Sequence, residues 1–359
     1  MADRVEEMAA ASVSSLPACS QWARSQDLSP IGSAGHYQGY LLVELPLPWP
    51  ADISRAPQLA GVVELADGAG LRVQAMAPAE PGPAGEQPQE PDQARVACSA
   101  GGTANRGRRL VYYGTPRPGW AGPLLRRERL AGPGQLAEAV ADLLGAGAGP
   151  AEGSGTELEV VDVLVCTHGR RDACCGGRGT ELVRALAEAG LVGPSARSAA
   201  PGGGGPAPGG GRPAPEVRLW RTSHTGGHRF APTALVLPSA TLWAWADVPL
   251  LDRVVRSEGP VSDVMSRYRG CATLGLPAHQ AVEKGVLAEV GWPLLSSWRR
   301  AVGLEDGWVR LETESAGTWE ARAAEGRRVP QPDCRTSPEL ASKQSVEWVV
   351  DALHQVVRA

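Results

Sequence analysis

Two dense apolar runs stand out in a chain of otherwise mixed character. Val160 to Val165, inside ELEVVDVLVCTHG (157–169), is near-continuous, which predicts a strand buried on both faces. Leu41 to Leu45, inside HYQGYLLVELPLPWP (36–50), predicts another, ended by prolines. LAGVVELA and LRVQAMAP read as further pieces of an alternating α/β unit, and RRLVYYGTP (108–116) as a strand. In EVRLWRTSH (216–224), Val217, Leu219 and Arg221 alternate with Arg218 and Trp220, and TALVLPSATLWAWAD (233–247) holds two short strands. Helical spacing marks GPGQLAEAVADLLGAGAG through Leu136, Val140, Leu143 and Leu144. It marks GTELVRALAEAGLVG (179–193) through Leu182, Leu186 and Leu191. DVPLLDRVVRSE, AHQAVEKGVLAEVG (278–291) and the closing SVEWVVDALHQVVRA also read as helices, the last amphipathic. GWVRLETESAGTWEARAAEG (307–326) reads as a hairpin around Ser315–Gly317.

These elements predict an α/β protein in three parts. Residues 1–155 form an N-terminal α/β domain, with an exposed Pro-, Gly- and acid-rich loop over 77–94. Residues 156–250 form a second domain, carrying a flexible, low-complexity loop at 200–215. Residues 251–359 add a helical segment, the hairpin and a final helix. No internal repeat is visible.

Composition narrows the class. The chain has 359 residues, 43% of them hydrophobic and 21% charged, and a net charge of −4. That balance suits a globular protein and gives no nucleic-acid footprint. No apolar run is long enough to span a membrane. The start, MADRVEEMAAASVSS, carries acids where a signal peptide carries bases, so a cytoplasmic location is expected. The cysteines, seven in number, show no disulfide framework. Cys19, Cys98, Cys271 and Cys334 are scattered singly and read as buried small hydrophobes.

The remaining cysteines and two histidines carry the chemistry. Cys166 ends the apolar run, and Cys175 follows after the loop THGRRDAC. His224 and His228 lie in SHTGGHRF, after a later strand. Each pair follows a predicted strand, so both pairs can open onto one sheet edge. The adjacent glycines Gly226 and Gly227 disfavour a helix there and let the backbone bend around a bulky inorganic centre. A helix expected to start near Gly179, together with Arg170, Arg171 and Arg178, favours thiolate at Cys175. Two cysteines and two histidines suit either tetrahedral zinc or a [2Fe–2S] cluster with two thiolates on one iron and two imidazoles on the other. Cys174 stands beside Cys175, so either is a candidate ligand.

The run from Cys166 through His168, Gly169, Arg171, Asp172, Cys174 and Cys175 to Gly176 resembles the C-x-H-G-x-[RK]-D-x-x-C-G motif of the sucrase/ferredoxin-like proteins. The run His224, Gly226, Gly227, His228, Arg229 resembles their H-x-G-G-H-R motif, and YRGCATLGLP (268–277) resembles a segment further downstream. The resemblance implies a thioredoxin-like ferredoxin domain between an α/β N-terminal unit and a smaller α+β C-terminal region. It implies one [2Fe–2S] cluster held by Cys166, Cys175, His224 and His228, with Cys174 a bystander or a spare thiol. Around it, His168 is expected to reach the cluster or to brace its loop, Arg171 to pair with Asp172, Arg229 to offset cluster charge, and the two glycines to shape the backbone.

The function so implied is electron transfer with a redox partner protein, not enzymatic catalysis. Imidazole ligands should raise the potential above that of an all-cysteine cluster, and the potential should fall as pH rises, since each ring keeps a second nitrogen. The alternatives are a zinc-stabilised binding module and a thiol redox protein using Cys166 with Cys174 or Cys175. No pair of carboxylates is placed for glycoside chemistry.

Overall fold

In a computed structural model, residues 19–79, 107–132, 134–145, 160–191, 193–194, 215–334 and 336–357 are described. The apolar run becomes strand β5 (Val160–Cys166), whose residues from Val161 to Cys166 are all buried. Its neighbours are β7 (Glu216–Thr222), parallel to it, and β8 (Ala234–Leu237), antiparallel to it. β9 (Thr241–Trp243) follows β8. Helix α4 (Ala173–Glu188) connects β5 to β7, with the two-residue strand β6 (Gly193–Pro194) on the outer side of β7.

The same layout recurs earlier in the chain. β1 (Gly39–Glu44) and β2 (Leu71–Pro78) are parallel and joined through α2 (Val62–Gly68). β3 (Arg108–Gly114) lies antiparallel to β1, and β4 (Leu125–Ala131) antiparallel to β3, before α3 (Leu136–Gly145). The orders β2-β1-β3-β4 and β7-β5-β8-β9 are therefore equivalent, a repeat that sequence inspection misses. β2 pairs with β7 antiparallel, and β10 (Tyr268–Cys271) pairs with β9, so one ten-stranded sheet crosses residues 155 and 250.

That sheet curls. β3 and β5 are four ladder steps apart, about 19 Å in a flat sheet. Yet Tyr113 of β3 hydrogen-bonds to Asp162 of β5, and Arg126 of β4 lies 3.2 Å from the same carboxylate. Leu42, Val111 and Tyr113 from one half share a core with Leu164, Trp220 and Leu235 from the other. The helices pack outside: α2 and α3 cover Leu41 and Val43, while α4, α5 (Val248–Arg256) and α6 (Pro277–Val290) cover Val163 and Val165. A second sheet, β11 (Arg299–Gly303), β12 (Trp308–Thr313), β13 (Gly317–Pro330) and β14 (Gln344–Val356), packs against α6.

Several expectations hold, including the α/β class, the strands β5, β7, β8 and β9 and the hairpin of β12 with β13. The final helix does not: QSVEWVVDALHQV is strand β14. Its valines favour a strand. A register shift opposite Glu320/Arg322 puts an extra residue into it between Asp351 and His354 and disturbs the alternation that would have marked it. Helix α4 starts at Ala173, not near Gly179, because three glycines lower the local propensity while packing sets the backbone. The charged edge strand β4 and the short helix α1 (Cys19–Ser25) were not anticipated. The loop expected at 200–215 lies, apart from Pro215, outside the described residues, as does the loop at 77–94 beyond Ala79.

Candidate metal centre

Because β5 and β7 are parallel, their carboxyl ends share one edge, and Cys166 stands directly opposite Thr222. His224 follows two residues after Thr222, and His228 begins a 3-10 turn, His228–Phe230. Cys174 and Cys175 occupy the first turn of α4, where the positive end of the helix favours thiolate. Cys19, Cys166, Cys174, Cys175 and Ala231 form one small core, with Cys334 packed against it.

Close approaches at three glycines set this edge. A Cβ built on Gly179 would overlap the Cys166 carbonyl, and one on Gly176 would stand 2.5 Å from the Cα of Gly169. Glycine therefore lets the start of α4 lie directly on the end of β5 and its loop, which brings Cys175 to Cys166. In the histidine loop, Gly227 has φ 66° and carries no room for a side chain, since its Cβ would lie 2.5 Å from Arg269 Nη2.

The sulfurs divide into two groups. Cys175 donates its thiol proton toward Cys166, and this is the largest influence lowering the Cys166 thiol, to about 6. Burial opposes ionisation, while the backbone N–H groups of His168 and Thr225 favour it. In the second group, Cys19 Sγ is 3.2 Å from Cys174 Sγ and 3.6 Å from Cys334 Sγ. Cys334 and Cys174 are 3.4 Å apart. Nδ1 of His228 lies 3.2 Å from Cys19 Sγ and 3.9 Å from Cys334 Sγ. Cys19, His228 and Cys334 are close enough to hold a metal ion. The expectation of Cys19 and Cys334 as isolated hydrophobes is thus corrected, and Cys174 packs with both. Cys271 is fully buried and apart from this core, as expected, and Cys98 lies outside the described residues.

The surrounding side chains take definite partners. Asp172, expected to pair with Arg171, stands 2.9 Å from Nδ1 of His224, at ion-pair distance though not aligned as a hydrogen bond. Burial opposes ionisation of Asp172, but His224, His228 and Arg171 hold its carboxyl below the usual range. Arg171 donates instead to the Ala51 carbonyl, 3.4 Å away. His168 contacts the Pro50 carbonyl through Nε2 at 2.8 Å and meets Trp49 edge-on, so its ring braces the loop while its backbone serves Cys166. Burial lowers the pKa of His228. Arg229 lies over the Phe230 ring, its charge near Cys19, and burial lowers its pKa to about 10.

Arg269 was missed as a single residue, although its segment was noticed. It is completely buried and donates to the Gly226 carbonyl at 3.1 Å and to the Ser33 carbonyl at 2.7 Å. The arginine thereby ties the histidine loop to the N-terminal segment. Gln74 Nε2 donates to the His224 carbonyl at 3.2 Å. A cavity of about 480 Å³ borders His224, Gly227, His228 and Arg229 on one side and Glu347 and Trp348 on the other.

Among the described residues, no helix is long and apolar enough to cross a membrane. No curated protein and no solved structure matches the chain significantly. The sequence model of one family does, over residues 30–270, more than half of the chain and across both motifs. With those motifs brought to one sheet edge, the protein belongs to the sucrase/ferredoxin-like family.

Proposed function

We propose that this chain is an electron-transfer protein holding one [2Fe–2S] cluster on Cys166, Cys175, His224 and His228, and serving a redox partner protein. The carrying observation is the packing of Cys166 and Cys175 in one small buried core, at the edge where the loop with both histidines leaves the neighbouring parallel strand. The donor set fits. Cys166 and Cys175 share one buried core, backbone N–H groups point at Cys166, and both rings border one cavity. Asp172 engages Nδ1 of His224 and Cys19 engages Nδ1 of His228, leaving Nε2 of each ring for iron. Cys174 is occupied by Cys19 and Cys334, which favours Cys175 as the partner of Cys166. The strand order β7-β5-β8-β9, with one parallel and two antiparallel pairs, supports a thioredoxin-like half-sheet.

When bound, such a cluster takes up and returns one electron. The protein's part is to hold it and set its potential. Imidazole is neutral where thiolate is anionic, so the histidines reduce the negative charge that reduction must overcome. Replacing His224 by cysteine should keep a cluster and lower the midpoint potential by roughly 200 mV or more, toward the plant-type ferredoxin range. Protein-film voltammetry checks this. Asp172→Asn removes a negative charge beside His224 that favours the oxidised state. Its potential should rise by about 60 mV, a tenfold change in the one-electron equilibrium.

The direct test is the visible spectrum of anaerobically purified protein with iron and acid-labile sulfide analysis. Broad visible bands with about two irons and two sulfides per chain support the reading. A colourless chain that stays colourless after reconstitution with iron and sulfide, and takes zinc on Cys166 and Cys175, would replace it with the zinc-stabilised module.

A further inference from the structure

We propose that Cys19, Cys174 and Cys334, with Nδ1 of His228 as fourth donor, form a second metal site that takes a thiophilic divalent ion, zinc by its donor set. The site lies outside the ligand set of the cluster reading except for His228, whose other nitrogen that reading uses. It does not depend on the cluster being present.

Three remote segments supply the thiols. Cys19 opens α1, Cys174 lies in the first turn of α4, and Cys334 follows β13. The pairs Cys19–Cys174 and Cys174–Cys334 are separated by 155 and 160 residues, yet all three sulfurs lie within 3.6 Å of one another. One buried cysteine packs as a small hydrophobe. Three in mutual contact beside an imidazole nitrogen are a donor set. For zinc–sulfur bonds of about 2.3 Å, tetrahedral geometry puts the sulfurs about 3.8 Å apart, so the triad needs only slight expansion.

The backbone N–H of Ser20 is directed at Cys174 Sγ, and that of Cys174 at Cys334 Sγ. The Arg229 guanidinium sits near Cys19, and its buried Nε has no hydrogen-bond partner. Without the cluster, binding would release the three thiol protons to solvent and leave one negative charge on the centre, facing that cation; with Nε2 of His228 on iron, the ring's remaining proton would leave as well. Soft thiolates with one imidazole select zinc over hard cations.

The metal would do mechanical work. Helix α1 spans seven residues, and only Cys19, Ser20 and Ala23 of it are buried. A metal bond is a strong fastening for so short a helix. It would clamp α1 and the segment after β13 over His228, closing the side of the pocket opposite β5.

The test is elemental analysis of the full chain after equimolar zinc and gel filtration, with iron counted on the same sample. About one zinc per chain is expected, with zinc-edge X-ray absorption giving three sulfurs at about 2.3 Å. Cys334→Ser should lose the zinc, while tryptophan fluorescence reports an intact fold and iron content is retained; Cys19→Ser should lose the zinc as well. Zinc absent from the wild-type chain overturns the proposal, as does zinc unchanged in both variants. Zinc lost from Cys166→Ser but kept by both variants overturns it and the cluster reading together. Zinc that follows Cys19 and Cys334 in a chain without iron supports the second site and sinks only the cluster.

Discussion

Gly179→Ala should destabilise the protein and empty the candidate cluster site, whereas Gly177→Ala, two residues earlier, should stabilise it slightly. Both lie in α4, where alanine is favoured over glycine by about 1 kcal/mol in an exposed helix interior. Nothing stands within 4 Å of a Cβ on Gly177, so that gain is realised. On Gly179 the same methyl overlaps the Cys166 carbonyl, a backbone atom that cannot turn aside. Overpacking of this kind costs about 3 kcal/mol, so the balance is a loss of about 2 kcal/mol. For a domain of this size each kcal/mol moves Tm by roughly 2–4 °C. Thermal melts should therefore separate the two variants by about 6–12 °C. Relief of the overlap pushes α4 off β5 and parts Cys175 from Cys166. Iron retention should fall in Gly179→Ala and persist in Gly177→Ala. Equal melting temperatures would mean that α4 does not rest on β5 as described.

That contact explains why part of the site was legible and part was not. Cys166 ends β5, Cys175 lies in the helix turn that follows, His224 and His228 lie just after β7, and β5 and β7 announce themselves by apolar residues. Once those strands pair in parallel, local spacing alone delivers both motifs to one edge. Cys19 and Cys334 carry no such signal. Each is a lone cysteine in its own stretch, and only folding over 155 or more residues brings it to Cys174. Arg269 was hidden similarly, because its partners, Ser33 and Gly226, are remote in sequence. The repeated half-sheet escaped notice for another reason. Topology is preserved by which positions are apolar, not by which apolar residue fills them, and the first half has no counterpart of the Cys and His motifs. In β14, a bulge between Asp351 and His354 shifted the side-chain phase that distinguishes strand from helix.

Glu283→Ala should cost the most stability of any single change considered, about 3–5 kcal/mol. Glu283, on α6, is completely buried, and so is Arg299 on β11. Arg299 Nε donates to Glu283 at 2.5 Å, and Tyr268 of β10 donates to the same carboxylate at 2.8 Å. The carboxylate therefore joins the edge of the large sheet to the first strand of the small one. Removing it strands a guanidinium that two carbonyls, of Leu294 and Ser297, solvate only in part. Arg269 adjoins Tyr268 in β10, so the strain should reach the histidine loop through its bond to Gly226. A double variant separates burial from attraction. Glu283→Met with Arg299→Met removes both charges and keeps apolar volume, and it should recover most of the loss, since a buried pair seldom repays its own desolvation. Urea unfolding of the three proteins reads this directly. If the double variant is no more stable than Glu283→Ala, the ion pair is itself a net source of stability, and its role in joining the sheets is energetic as well as geometric.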